Sequence, residues 1–153
     1  MKKIILTLML VLLLAVNCFA AWTHEVTSYK SGNDIVIRVY SISDGSDPAA
    51  FLINSASLSR YLNAAEVDRI KGKLFWEVET IPVVQPDSTW TVAFTTMNGA
   101  PILSLTGLSA TAKAVNIGTT DLDAYHSLKG AFYIDYGDIG SAADSVIVEI
   151  TCK

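Results

Sequence analysis

Apolar side chains recur at every second residue along most of this sequence, and that alternation constrains the fold more than any other feature. In residues 34–43, Ile35 and Ile37 share one face of an extended chain, while Val36 and Tyr40 share the other. Because both faces are apolar, this segment is expected to be an inner strand or one covered by a neighbour. A period of two through the chain predicts an all-β domain.

The same alternation predicts about seven short strands with turns between them. They cover residues 22–27, 34–43, 73–81, 90–96, 102–105, 131–136 and 145–151. Asn98 and Gly99 give the strongest hairpin signal, because both residues accept the positive φ of a type I′ turn. The last two strands are expected to form a closing hairpin around residues 137–140.

Helical signals are few. Residues 64–71 predict one short helix at most, with Asn63 as its cap and Gly72 just beyond its end. Residues 49–62 are open to either interpretation, since part of this stretch alternates like a strand and part has helical spacing. Residues 106–127 predict a long loop with a short strand or turn inside it.

The fold predicted from these elements is an antiparallel β-sandwich, with a small barrel as the alternative. Residues 21–153 form a single domain of ordinary size in this interpretation, with no linker and no internal repeat.

The first twenty residues have the three parts of a secretory signal peptide. Lys2 and Lys3 are followed by an apolar run over residues 4–16, and small residues, Cys18 and Ala20, stand three and one positions before the expected cleavage point. We therefore expect residues 1–20 to be removed and the protein to be exported to the periplasm or the cell exterior.

Two other fates of this segment were weighed. A retained membrane anchor needs about 20 apolar residues, and Asn17 ends the run too early. Lipidation of Cys18 fits poorly with the residues Ala15-Val16-Asn17 before it. Contact with a membrane is therefore expected only through the signal segment.

Charge and cysteine content restrict the partners. The chain carries a net charge of −4, and loss of Lys2 and Lys3 with the signal makes the mature domain more acidic still. Such a surface disfavours nonspecific binding to nucleic acid or anionic lipid. Cys152 is the cysteine that survives cleavage, so it predicts either an unpaired near-terminal thiol or a bridge between molecules.

Three carboxylate pairs were considered as sites. Glu77 and Glu79 lie on one strand face, where one could act as an acid and the other as a base, although a solvated strand face explains them as well. Asp44 with Asp47, and a second pair at positions 121 and 123, could contribute to a calcium site. Calcium needs six to eight oxygen ligands, and aspartates in turns need no ligand to explain them.

The histidines, the cysteine and the tryptophans indicate a functional site no more strongly than the carboxylate pairs do. His24 and His126 have no second ligand at metal-binding spacing. A triad of Cys152 with His126 and an aspartate would place its nucleophile at a frayed chain end. The tryptophans are Trp22, Trp76 and Trp90, and they are expected in the core rather than on a sugar-stacking platform. No catalytic residue, cofactor site or metal site is predicted.

The order of short motifs resembles a group of small virion-associated proteins encoded in tailed-phage and prophage genomes. The segments that carry the resemblance are 72–82 (GKLFWEVETIP), 86–92 (PDSTWTV), 98–107 (NGAPILSLTG), the closing hairpin 128–150 and the opening strand 22–27. The resemblance implies a β-sandwich accessory protein of the virion, without catalysis and without a cofactor.

Two functions from different classes follow. The first is a non-catalytic structural or interaction protein, best described as a phage virion-associated accessory protein, with protein partners through self-association or a larger assembly. The alternative is an exported bacterial binding module, such as an adhesin or a carbohydrate-binding domain. An exported hydrolase is a third possibility, and it would need two convergent carboxylates in one pocket.

Overall fold

The computed structural model describes residues 21–70, 75–117 and 131–153, and in that part of the chain strands greatly outnumber helices. The strands are β1 (Thr23–Ser31), β2 (Asp34–Ile42), β3 (Phe51–Ile53), β4 (Phe75–Val84), β5 (Trp90–Thr96), β6 (Pro101–Leu108), β7 (Ala114–Ile117), β8 (Phe132–Gly137) and β9 (Ser145–Cys152). The helices are α1 (Ser55–Leu58) and α2 (Ala64–Ile70).

The strands form two antiparallel sheets. Sheet A has five strands in the order β1-β2-β9-β4-β7, and sheet B has four in the order β3-β8-β5-β6. The predicted all-β antiparallel sandwich is therefore confirmed, with the two short strands β3 and β7 in addition to the seven that alternation predicted. The predicted inner position of residues 34–43 is also confirmed, because β2 lies between β1 and β9.

The core lies between the sheets and follows the period of two. Val39 and Val148 of sheet A and Val92 and Ile134 of sheet B are all 0% exposed. Trp90 also has no exposed surface, and its indole Nε1 donates a hydrogen bond to the carbonyl oxygen of Ser109 at 3.1 Å. Its expected place in the core is confirmed. The side chain of Trp76 lies outside the part that the structure describes.

Residues 49–62 contain a strand and a helix in succession, so both interpretations of this stretch were partly right. Strand β3 ends at Ile53, and the side-chain oxygen of the next residue, Asn54, accepts hydrogen bonds from the backbone N–H groups of Ala56 at 2.9 Å and Ser57 at 3.0 Å. These are the groups that the first turn of a helix leaves without partners. The cap therefore starts helix α1 directly after the strand.

Helix α2 begins where the sequence predicted. The Asn63 side chain accepts from the Glu66 backbone N–H at 3.0 Å, and the Glu66 carboxylate accepts from the Asn63 backbone N–H at 3.0 Å. This reciprocal pair is a capping box. With α1 the described chain has two short helices, where the sequence predicted one at most.

The hairpin between β5 and β6 differs in detail from its prediction. Gly99 has a φ of 77°, whereas Asn98 is outside the positive-φ region, so the turn is not type I′. The backbone N–H of Thr96 donates to the carbonyl of Ala100 at 2.8 Å, which closes a three-residue loop over residues 97–99. The hairpin itself is confirmed.

Four predicted features fall wholly or partly outside the described residues. They are the signal segment 1–20, the end of the predicted helix at 71–72, the first two residues of the predicted strand 73–81, and residues 118–127 of the predicted long loop. Within the described part of that loop, β6 continues to Leu108 and β7 forms a short strand. No helix in the described ranges is long and apolar enough to cross a membrane.

Cys152 is a core residue, which corrects the expectation of a thiol at a frayed end. It closes β9, where its backbone is paired with Ile35 of β2 on one side and Phe75 of β4 on the other. Its side chain is 0% exposed. A thiol held in this way is not available for a bridge between folded molecules, and the sheet pairing keeps the chain end ordered.

The loop between β8 and β9 is crowded around Gly140, which has a φ of 92°. A side-chain carbon at this position would lie 3.1 Å from Asp87 Cβ and 3.2 Å from Asp144 Oδ2. Gly32, in the turn between β1 and β2, also has a positive φ of 64°, but a carbon added there would meet nothing within 4 Å. Comparing a substitution at Gly140 with one at Gly32 therefore separates the free-energy cost of a strained backbone from the cost of crowding.

We expect Gly140→Ala to lower the free energy of unfolding by about 2–3 kcal/mol. Gly32→Ala is the matched control and should lose only about 1 kcal/mol, which is the cost of a left-handed backbone for alanine. Urea unfolding followed by tryptophan fluorescence measures both changes. Equal losses in the two variants would show that Asp87 and Asp144 move aside without cost.

Candidate functional site

A surface cleft of about 380 Å³ opens where the edge strands β1 and β3 of the two sheets approach each other. Its walls come from the start of β1, from the loop between β2 and β3, and from the first residue of β3. The lining residues are Ala21, Trp22, His24, Asp44, Ser46, Asp47, Ala49, Ala50 and Phe51. The cleft combines aromatic rings with two carboxylates.

Four rings close the gap between the sheets beneath this cleft, and we call them the aromatic quartet: Trp22, His24, Phe51 and Tyr136. His24 stacks on Phe51 with 4.2 Å between ring centroids, and Trp22 stacks on Tyr136 at 5.8 Å. The planes of the contacting pairs differ by 11° to 22°. Stacked rings at such distances contribute about 0.5–1.5 kcal/mol per pair beyond the area they bury.

Strand register explains why the quartet forms. His24 is paired with Ser41 of β2, so it shares the inward face of sheet A. Phe51 is paired with Ile134 of β8, whose side chain is fully buried on the inward face of sheet B. The two edge strands thus each direct a ring into the space between the sheets, where it meets the other.

A row of hydrogen-bonded side chains links two rings of the aromatic quartet inside the protein. Ser41 Oγ donates a hydrogen bond to the Tyr136 hydroxyl at 2.9 Å, and His24 Nδ1 lies 2.9 Å from the same Ser41 oxygen. One hydroxyl oxygen therefore links the rings of His24 and Tyr136. Ser41 is 0% exposed, so it positions the rings and is not reachable as a nucleophile.

Burial shifts the pKa of both titratable rings. Desolvation lowers the pKa of His24 from its usual 6.5, because a half-buried imidazole is less easily charged than one in water. Desolvation also raises the pKa of Tyr136 well above its usual range, and the hydrogen bond with Ser41 offsets this only in part. Both rings are therefore neutral near pH 7.

The loop between β2 and β3 holds one carboxylate in a defined position. Asp44 Oδ1 accepts hydrogen bonds from the backbone N–H of Ser46 at 2.8 Å and from its hydroxyl at 2.6 Å. The indole Nε1 of Trp22 donates to the Ser46 carbonyl at 2.9 Å, which ties the loop to the quartet. Asp47 follows in the same loop and is exposed.

The hydrogen bonds from Ser46 lower the pKa of the Asp44 carboxyl. A carboxylic acid that donates a proton in catalysis needs a raised pKa, so Asp44 is suited to accept hydrogen bonds or to face a cation. The cleft does hold two carboxylates, as a hydrolase would require. The lowered pKa of Asp44, however, makes this residue a poor proton donor.

The other sequence candidates lie elsewhere. Glu77 and Glu79 are on the outer face of sheet A, half-buried, and Glu79 forms an ion pair with Lys113. On the same face Glu149 forms an ion pair with Arg38 at 3.6 Å. These ion pairs agree with the explanation that the two glutamates lie on a solvated strand face.

His126 and the aspartates at 121 and 123 fall outside the described residues. Within residues 21–70, 75–117 and 131–153, no three His, Cys, Asp or Glu side chains lie close enough together to hold a metal ion.

The sequence indicates the residues of the cleft one at a time, and it does not predict that they lie close together. His24 and Asp44 were each considered as metal ligands, and Trp22 was assigned to the core, whereas the structure places it half-buried at the cleft wall. The available signal was that residues 22, 24 and 26, at and just before the start of β1, have the same alternation phase. That phase does not reveal which strand of the opposite sheet lies across from it.

No protein-family model and no curated protein matches this sequence.

We expect stability to fall in mild acid because of His24. Its pKa is lowered in the folded protein, so the unfolded chain binds a proton at this ring more readily than the folded one does. The contribution of this site to the free energy of unfolding is complete well above pH 6.5, the usual pKa. It is lost as the pH falls through that value towards the lowered pKa of the folded state.

Urea unfolding at a series of pH values between about 5.5 and 8 measures this effect. The control is His24→Asn, which keeps a polar group near Ser41 but does not titrate; His126 is present in both proteins and cancels. A variant that loses as much stability as the wild type over this range would contradict the assignment.

Proposed function

We propose that this chain is a non-catalytic structural or interaction protein, and specifically a virion-associated accessory protein of a tailed phage. It works through protein contacts, by self-association or within a larger assembly. The order of motifs from residue 72 to residue 150 and the opening strand support the phage assignment through the resemblance described above. The two-sheet fold is of the kind that the resemblance implies.

The observation that carries the proposal is an uncharged surface on an acidic protein. No charged residue occurs between Asp87 and Lys113, a segment that includes the whole β5–β6 hairpin. Strand β6 of this hairpin is at the edge of sheet B. Soluble proteins normally distribute charges over their surfaces and place them on edge strands, because charge there prevents association. A surface without them is suited to contact another protein.

Particles purified from the source organism test this proposal. We expect mass spectrometry of the particle proteins to detect this chain in a fixed ratio to the major structural protein. Host proteins of similar abundance serve as the contamination control, and electron microscopy confirms that the particles are intact. Absence of the chain from such particles would refute the virion assignment.

A second candidate function is an exported carbohydrate-binding module, favoured by the cleft. Trp22 and Phe51 are half-buried rings at its wall, and the apolar face of a sugar ring packs on such surfaces. Asp44 and Asp47 add carboxylate oxygens that accept hydrogen bonds from sugar hydroxyls. The export signal expected in residues 1–20 agrees with this role.

A glycan array tests the second candidate. We expect the wild type to bind a subset of glycans, and Trp22→Ala to lose at least about tenfold in affinity because a stacking surface is removed. Tyr61→Ala is the matched control, since Tyr61 is an aromatic residue with 43% exposure outside the cleft. Thermal melts check that both variants fold. A blank array, or equal binding by Trp22→Ala, would rule this function out.

A further inference from the structure

Strand β6 is the outermost strand of sheet B in the described part of the chain, and it pairs with β5 on one side. Alternate backbone N–H and C=O groups of an edge strand point away from the sheet, and they form a template for a further strand. β6 runs from Pro101 to Leu108, and its pairing with β5 is regular over Leu103–Leu105 with a register shift on either side. Among the described residues, the centre of β6 is therefore a free pairing edge of sheet B.

The usual protections against edge pairing are confined to the ends of β6. Pro101 is its first residue, and Gly107, near its end, has a φ of 65°. The segment between them carries no charged side chain and no proline. A lysine in the middle of an edge strand is the common means of preventing association, and it is missing from this segment.

The inward side chains of β6 are also less completely buried than those in the middle of sheet B. Leu103 and Leu105 point inward but retain 7% and 8% exposure, whereas Val92 and Phe94 of the adjacent β5 have none. Ser104 and Thr106 face outward and are exposed, and both are small and neutral. A strand added at this edge would cover the leucines and meet no bulky or charged group.

We infer that β6 pairs antiparallel with β6 of a second copy of this chain, so that the two four-stranded sheets become one continuous sheet. This inference rests on the proposed function, because it specifies the contact through which the protein associates. A second copy fits because the chain has a net charge of −4, and two such chains repel each other least across an uncharged surface.

An antiparallel pair of identical strands has two-fold symmetry, so the residue on the axis meets its own counterpart, and every other pair of facing residues occurs twice, once on each side of the axis. The register that best covers the core sets Ser104 opposite Ser104 of the second copy. Leu103 then meets Leu105 of the second copy on the inward face, and Gly107, with its positive φ, stays outside the central pairs.

Sedimentation equilibrium of the full chain tests this contact. We expect the wild type to have the mass of a dimer, and Ser104→Lys combined with Thr106→Lys to raise the dimer Kd at least about a hundredfold, because like charges would oppose each other across the axis. Thr23→Lys with Ser31→Lys is the matched control: it adds the same charge to exposed positions of β1, the edge of sheet A. The control should remain a dimer.

A disulfide tests the register. In a Cys18→Ser background, Ser104→Cys should give a covalent dimer on oxidation, and Thr23→Cys should not; Cys152 is buried and stays unreacted. Thermal melts establish that each variant is folded. A covalent dimer through position 104 supports the register, and its absence in a protein that dimerises overturns it.

A wild type that is monomeric at every concentration, or a Ser104→Lys/Thr106→Lys protein that associates as tightly as the wild type, overturns the β6 contact. Neither result decides whether the chain belongs to a particle, which the particle mass spectrometry measures separately. Failure of this inference and failure of the proposed function are therefore distinguishable.

Discussion

The packing of two layers of inward side chains against each other is the constraint on which the rest of this structure depends. β2 and β9 supply most of one layer and β5 and β8 most of the other, and their central residues are completely buried. This contact fixes the distance between the sheets. Once the distance is fixed, the edge strands β1 and β3 bring their rings together, and the cleft forms above them.

The two outer faces of the sandwich differ in their electrostatics. Sheet A carries ion pairs on its outer surface, including Arg38 with Glu149 and Glu79 with Lys113. The hairpin β5–β6 of sheet B carries none, because it has no charged residues. The exposed groups of this hairpin are mostly hydroxyls and small apolar groups, and the neighbouring strand β8 carries the exposed Asp135 on the same face. Charge is therefore distributed unevenly between the outer surfaces of the two sheets.

The long strands were predictable because they obey a local rule. In β2 and β5 the alternation runs for several residues, and burial follows it on the inward face from Ile35 to Ser41 and from Trp90 to Phe94. β3 and β7 are too short to show an alternating pattern in the sequence. They are strands because each pairs with a longer strand, β3 with β8 and β7 with β4. Cys152 was misjudged because frayed ends are common, whereas here the last residues are held between two strands. The cleft was unpredictable because His24 and Phe51 belong to different sheets.

The central place of β9 has a consequence for folding. Until β9 is in place, β2 and β4 have no strand between them, and the interior of sheet A stays open. β2 and β9 are far apart in the sequence, so the entropy of closing the intervening loop is lost before their contacts form, and such pairing is slow. A chain in which β9 has not yet docked exposes two unpaired strand edges, and such edges are where aggregation and proteolysis begin.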